Sequence, residues 1–182
     1  MELPYNKKVI LQTAHRGFDK ASLQYVILKC NYGTPKGILL SDLMCYTGIT
    51  GFYFPFTSET NINMAEPDSY LPFTTCHEMA HQIGFAKEDE ANYIAYLACI
   101  NNPDINFKYS GTLAALTYSL NSLKEHDSQK YKDLFSFCNK GVLNDMIYNE
   151  NFWEGYSGRI EKISEEINNT YLKSTRDRKS VV

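Results

Sequence analysis

The chain has 182 residues, of which 43% are hydrophobic and 21% are charged, and these values are ordinary for one folded domain. Its formal net charge of -3 gives no overall basic character of the kind that nucleic-acid-binding proteins show. No apolar run is long enough to cross a membrane, and the first residues lack the apolar segment of a secretory signal. We therefore expect a single domain over residues 1–182, with no nucleic acid among its partners.

The first third of the chain predicts helices followed by a β-hairpin. Apolar residues recur at helical spacing over residues 5–31, and a second, short helix is predicted over residues 41–46. Residues 49–57 are rich in β-formers and predict a strand, with residues 60–64 as a short partner strand. Because Pro55 cannot donate a ladder hydrogen bond, the first strand must lie at a sheet edge or bend there.

The five-residue motif HEMAH, residues 77–81, lies in a predicted amphipathic helix over residues 74–83. Residues four apart lie one above the other on a helix, so His77 and His81 can point their imidazoles at one metal ion. Glu78 follows the first His by one residue, which lets its carboxylate reach a metal-bound water without binding the metal. Two His ligands and a general base at this spacing are typical of zinc peptidases.

A catalytic zinc site needs a third protein ligand, and an acidic cluster of Glu88, Asp89 and Glu90 follows the motif. The cluster begins a second predicted helix, over residues 88–99. The face that carries Glu88 has small residues and can approach another helix closely, whereas the face of Glu90 is bulky. This favours Glu88 over Glu90 as the ligand. Asn92, one turn after Glu88, is then placed to orient a ligand.

The rest of the chain predicts helices only. Apolar residues at helical spacing indicate helices over residues 110–126, 128–138, 142–154 and 159–174. Because the sequence shows a single hairpin among these helices, we expect an α+β fold that is mostly helical.

Parts of this sequence resemble known metallopeptidases. The pattern Glu88-x-x-Ala91-Asn92 resembles the glutamate helix of gluzincins, in which the Glu is the third zinc ligand and an Asp or Asn supports a His. Nearly the whole chain is similar to a bacterial family known as domain of unknown function 3810, which resembles zinc metallopeptidases. That similarity extends to residues 51–57, 59–63, 109–111 and 152–156.

The resemblance implies a zincin-like fold, in which a catalytic helix and a glutamate helix face a short hairpin that edges the cleft. An extended peptide substrate would pair with that hairpin. Zincins often stabilise the tetrahedral oxyanion with a later Tyr or His, and Tyr156 is the candidate here, with Tyr109 as the alternative. The resemblance further implies a membrane-anchored bacterial protein, associated with the membrane only through a transmembrane part that lies outside this sequence.

These observations predict a zinc-dependent metallopeptidase that hydrolyses peptide bonds in peptide or protein substrates. Zn2+ would be bound by His77, His81 and Glu88 with a water as fourth ligand, and Glu78 would take the proton of that water. Two other functions use the same residues: a non-catalytic zinc-binding sensor, and a helical interaction domain in which the motif is accidental. Zinc analysis separates the interaction domain from the other two, and a Glu78→Gln variant separates the sensor from the peptidase.

Overall fold

The computed structural model describes residues 1–157, and the helix expected over residues 159–174 lies outside them. The described part is α+β and mostly helical, as predicted. Its helices are α1 (Lys8–Thr13), α2 (His15–Ala21), α3 (Ser41–Cys45), α4 (Leu71–Gln82), α5 (Glu88–Asn101), α6 (Ile105–His126) and α7 (Ser128–Phe137), together with the helical residues 140–157, here called α8. Its strands are β1 (Lys36–Gly37), β2 (Gly51–Phe54) and β3 (Glu59–Ile62).

The three strands form one small sheet in the order β1-β3-β2. β2 and β3 are the predicted hairpin and pair antiparallel, with Phe52 opposite Asn61, while β1 pairs parallel with β3. Pro55 directly follows β2, where no further ladder hydrogen bond is required of it. Within the described sheet β2 is therefore an edge strand, paired with β3 on one side only.

The core lies where α4 packs on α5 and where α5 in turn packs on α2 and α6. The small face predicted for α5 is the buried one, because Ala91, Ala95 and Cys99 are all fully buried. Small side chains allow α5 to lie close against α4, on which Met79 and Ala80 are fully buried. This close packing brings the first turn of α5 beside the two His of α4.

The single helix predicted over residues 5–31 is wrong. The chain forms α1 and α2 there, followed by a 3-10 turn at Val26–Leu28. Leu23 and Ile27 are 86% and 71% exposed, so these two side chains give no core contact to a helix that continues beyond α2, whereas Leu28 is fully buried in the 3-10 turn.

The start of a later helix, α6, also differs from the sequence expectation, whereas α7 begins at Ser128 as predicted. α6 begins at Ile105, before residue 110, because the Asp104 side chain caps it by accepting a hydrogen bond from the Asn106 backbone N–H. Asp127 caps α7 in the same way through the Lys130 N–H. No helix among the described residues has both the length and the apolar character needed to cross a bilayer.

Candidate metal centre

Helix α4 carries both His and Glu78 of the HEMAH motif. Pro72 stands in its first turn, where a missing N–H costs no hydrogen bond. After the helix, Gly84 adopts a positive φ of 105°, a conformation that ends helices and is easiest for glycine. The chain turns here and enters α5 at Glu88, so a short link connects the helix of His77 and His81 with the helix of Glu88.

Three side chains converge on one point between α4 and α5. The Nε2 atoms of His77 and His81 lie 3.0 Å apart. The two carboxylate oxygens of Glu88 lie 3.2 Å from the His77 Nε2 and 3.5 Å from the His81 Nε2. Ligand atoms held roughly 2.0–2.2 Å from a tetrahedral zinc are about 3.3–3.6 Å from each other, so the three side chains match such a site within a few tenths of an ångström.

A backbone hydrogen bond fixes the His81 tautomer. Its Nδ1 lies 2.7 Å from the carbonyl oxygen of Phe85. A carbonyl only accepts, so Nδ1 must carry the proton and donate it. The lone pair is then on Nε2, the atom that points at the cluster, and a hydrogen bond of this kind is the usual way in which metal-binding His rings are oriented.

The His77 ring is also held in the form that binds a metal. Burial lowers the pKa of His77, and the neighbouring His81 lowers it further, whereas Glu88 and the side chain of Asn92 act in the opposite direction. The neutral ring is the ligand form. The buried Nδ1 of His77 has no hydrogen-bond partner of good geometry among the described residues, and Asn92 is the polar side chain that acts on this ring.

Glu88 is the member of the acidic cluster that the structure brings to the two His. The neighbouring Glu90 instead accepts a hydrogen bond from the Lys87 Nζ at 3.3 Å, and an Asp89 oxygen accepts from the Glu90 backbone N–H. The Glu88 side chain is 76% exposed, so the centre is open to solvent on that side.

Glu78 lies beside the centre but outside the group of ligand atoms. The residue is only 5% exposed, and its carboxylate accepts a hydrogen bond from the backbone N–H of Tyr53 in β2. Burial and the negative charge of Glu88 raise the pKa of Glu78 to about 7, against the lowering effect of the Tyr53 N–H. A carboxyl group with this pKa can exchange a proton near neutral pH.

A cleft of about 770 Å³ connects the centre with the edge strand. One wall is β2 and the residues around it, and the other is the HEMAH face of α4 with the start of α5. Its lining includes Gly51, Phe52, Tyr53, Pro55, His77, Glu78, His81 and Glu88. The β2 strand, the buried acid and the three ligand side chains therefore share one space that opens to solvent.

The two tyrosines suggested by the sequence lie elsewhere. The Tyr156 ring packs edge-on against Tyr46, with 5.0 Å between centroids, and Tyr156 lines neither cleft that borders His77. The Tyr109 hydroxyl donates to Asp145. Tyr156 as an oxyanion stabiliser stays a prediction.

Two residues that lie near the centre were not identified from the sequence. Tyr118 of α6 lines a second cleft together with His77 and Glu88, and its hydroxyl donates to Asn92 Oδ1 at 3.4 Å. Burial and the charge of Glu88 raise the pKa of Tyr118. Glu66 lines the same cleft from the loop before α4. Neither belongs to a motif, and Tyr118 is one of 14 tyrosines, so the sequence offered no signal for either.

Comparison with families of known sequences gives a match over nearly the full chain. The model of the family described as "Protein of unknown function (DUF3810)" matches residues 2–180. No curated protein matches the chain, and no solved structure matches it.

Proposed function

The chain belongs to the DUF3810 family of proteins of unknown function, and from that premise we propose that it is a zinc-dependent metallopeptidase that acts on peptides or proteins. One observation carries the proposal. Ligand atoms of His77, His81 and Glu88 lie within 4.8 Å of one another, beside the buried acid Glu78 and an edge strand. Metal binding alone would require only the three ligands, whereas peptide hydrolysis also needs a base and a place for an extended chain.

His77, His81 and Glu88 would hold the ion at the point where they line the open cleft. Zinc in such a site supplies Lewis acidity, which activates water and polarises a substrate carbonyl. The fixed tautomer of His81 and the neutral form of His77 keep both ligand lone pairs available without a rearrangement. The exposed side of Glu88 leaves room for a substrate to approach.

Glu78 is the general base of the proposed reaction. Its carboxylate takes a proton from the attacking water and passes it to the leaving amine. The Tyr53 N–H holds the carboxylate toward the cleft, and a divalent cation at the neighbouring centre would favour its ionised form. Since Glu78 belongs to α4 and Tyr53 to β2, the packing of these two elements orients the base.

The open edge of β2 provides the binding site for the substrate main chain. An extended peptide added to a sheet edge gains main-chain hydrogen bonds, which give affinity with little side-chain selectivity. Phe52 and Tyr53 line the cleft from this edge. The Tyr53 N–H is already bound to Glu78 and Pro55 has no N–H, so the substrate would pair with the remaining backbone groups of the strand. A peptide bound along β2 would pass the ligand cluster and Glu78 in the same cleft.

The test combines metal analysis with peptide hydrolysis on four variants. We expect the wild-type protein to bind about one zinc per chain and to cleave unstructured peptides, and expect His77→Ala to lose both. Glu78→Gln should keep its zinc and lose activity, because the amide cannot accept the proton. Glu90→Gln is the matched control and should keep both.

Two results would contradict the proposal in different ways. Stoichiometric zinc in both His77→Ala and His81→Ala would remove the metal assignment. In the second result, the wild-type protein binds zinc but hydrolyses a broad peptide mixture no faster than Glu78→Gln does. That result would favour a zinc-binding domain without catalysis.

A further inference from the structure

A second pocket, of about 330 Å³, adjoins the candidate metal centre. His77 and Glu88 line both this pocket and the larger cleft, so the two spaces meet at the ligand cluster. The remaining walls come from the loop before α4, from α4, α5, α6 and α8, and from the residue before β2; they include Glu66, Tyr70, Phe73, Thr117, Tyr118 and Trp153. A side chain of a peptide bound over the centre can therefore enter this pocket.

The pocket contains a buried carboxylate that is only half satisfied. Glu66 is 1% exposed. Its Oε2 accepts a hydrogen bond from the Thr74 hydroxyl at 3.0 Å, whereas its Oε1 is buried and has no partner among the described residues. A buried carboxylate without a full set of partners is costly, so such groups generally have a ligand or a counter-ion to meet.

The nearby cation, Lys7, does not pair with the free oxygen of Glu66. Lys7 acts on the Glu66 charge from a distance, but its Nζ pairs with Asp68 at 2.9 Å and donates to the backbone carbonyls of Met64 and Glu66. Burial raises the pKa of the Glu66 carboxyl well above its ordinary value despite Lys7. A positive charge placed at the free oxygen would act in the opposite direction and hold the carboxylate ionised.

The walls of the pocket suit a cation on an apolar stem. Tyr70, Phe73, Tyr118 and Trp153 give it aromatic surface. Aromatic faces attract ammonium and guanidinium groups, and they also pack against the methylene groups of lysine and arginine. The Tyr70 hydroxyl is already paired with Thr117 at 2.8 Å, whereas the Glu66 Oε1 has no partner among the described residues and can accept from an arriving donor.

We propose that this pocket selects the substrate: it receives the side chain of a lysine or arginine next to the scissile bond, and the Glu66 carboxylate pairs with its charged end. The role of the pocket in substrate selection rests on the proposed peptidase function, whereas binding of the cationic side chain can be measured without catalysis. The free α-ammonium of a peptide offers the same chemistry, and the experiment below separates the two sources.

The first arm measures binding without catalysis. N-acetyl-arginine amide and its neutral counterpart N-acetyl-norleucine amide are titrated into the full chain, before and after treatment with a chelator, and followed by NMR shifts. We expect the arginine compound to bind wild-type protein at least about 10-fold more tightly than the norleucine compound, because hydrogen bonds to charged groups contribute more than neutral ones. Glu66→Gln, which retains a partner for Thr74, should remove this preference.

Asp68→Asn is the matched control, since it removes a carboxylate two residues away that pairs with Lys7 and does not line the pocket. It should keep the preference for the arginine compound. Equal binding of the two compounds by wild-type protein overturns the proposal without reference to any variant, so a folding defect in Glu66→Gln does not remove the test. An unchanged preference in folded Glu66→Gln overturns it as well.

The second arm measures cleavage of four peptides, each in N-acetylated and in unblocked form, that differ at one position, occupied by arginine, lysine, norleucine or glutamate. Wild-type protein should prefer the two basic peptides by about 10-fold or more in kcat/KM, and Glu66→Gln should lose that preference. Cleavage of all four at one rate overturns the pocket assignment and leaves the peptidase function standing. Selective binding in the first arm without cleavage of any peptide supports the pocket assignment and contradicts the peptidase function. Cleavage restricted to unblocked peptides, whatever their side chains, overturns the side-chain assignment in favour of the α-ammonium.

Discussion

The side chain of Glu78 lies against Gly51, across the interface between α4 and β2. A Cβ atom added at Gly51 would lie 2.7 Å from the Glu78 Cγ and 3.0 Å from the Asn61 carbonyl oxygen. The proposed base can therefore reach its position only because β2 presents a residue without a side chain there. Glycine here serves a close approach rather than a turn, since its φ is not in the positive range.

Gly51→Ala should displace Glu78 without touching the three ligands. We expect kcat to fall by about 10- to 100-fold with zinc content unchanged, because small misplacements of a catalytic group are costly. The free energy of unfolding should fall by about 1–3 kcal/mol, as for other overpacked sites. Gly155→Ala is the control, since an added methyl there meets nothing within 4 Å. Full activity in Gly51→Ala would show that the position of Glu78 is not required for the reaction.

The acidic cluster allows a direct comparison of neighbouring carboxylates. Glu88→Gln should weaken zinc binding by more than about 100-fold, beyond the loss expected for an outer partner of a ligand. Glu90→Gln should leave it unchanged, because Glu90 pairs with Lys87. Competition with a chromophoric chelator gives both affinities. A larger loss in Glu90→Gln would reverse the assignment of the third ligand.

Tyr118 is the tyrosine whose position suits an oxyanion stabiliser. It borders the centre with His77 and Glu88, whereas Tyr156 packs on Tyr46 away from both clefts. Tyr118→Phe should lower kcat by about 100-fold, the effect of losing one oxyanion donor, with zinc content retained. Tyr156→Phe should be nearly neutral under the same assay. The opposite order of effects would restore Tyr156, the residue suggested by the sequence.

Glu66 should make folding stability depend on pH. Because the pKa of Glu66 is raised in the folded protein, the stability it contributes is fully present below the unfolded value of about 4.3 and is lost as pH rises through the folded pKa. Glu66→Gln should therefore gain stability relative to wild type as pH rises from 4 to 8, by about 1.4 kcal/mol for each pH unit between the two pKa values.

Urea unfolding at several pH values measures that difference. Glu59→Gln is the contrasting variant, since the hydrogen bond and charge of Lys36 lower the pKa of Glu59. Its stability relative to wild type should change in the opposite direction, with the contribution of Glu59 present at neutral pH and lost in acid. A flat difference for Glu66→Gln from pH 4 to pH 8 would contradict the raised pKa.

Local periodicity determined the parts of the candidate site that lie on single helices. A helix places residues four apart on one face whatever surrounds it, so the spacing of His77 and His81 was enough to predict that their rings meet. The small face of α5 likewise favoured Glu88 over Glu90, because close helix packing needs small residues and Ala91 and Ala95 share that face. The mostly helical α+β class followed from the same patterns.

The tertiary structure decided the contacts between segments that are distant in the chain. The Tyr53 N–H contacts Glu78, and Gly51 leaves room for its side chain, only because the hairpin packs on α4. Glu66 and Tyr118 line the pocket beside His77 and Glu88 from a loop and from α6, without a motif to mark them. Periodicity also failed over residues 5–31, where the apolar spacing did not show that Leu23 and Ile27 are exposed and that the chain forms two helices and a 3-10 turn.

The physical reason is the range of the interactions involved. Backbone geometry acts over one or two helical turns and depends on neighbouring residues, so the meeting of the His77 and His81 rings can be predicted from the sequence. Burial of Glu78 and Glu66, the pKa shifts that follow from it, and the cleft between β2 and α4 depend on which surfaces exclude water from each other. Which surfaces pack together depends on the whole chain, so no short stretch of the sequence determines it.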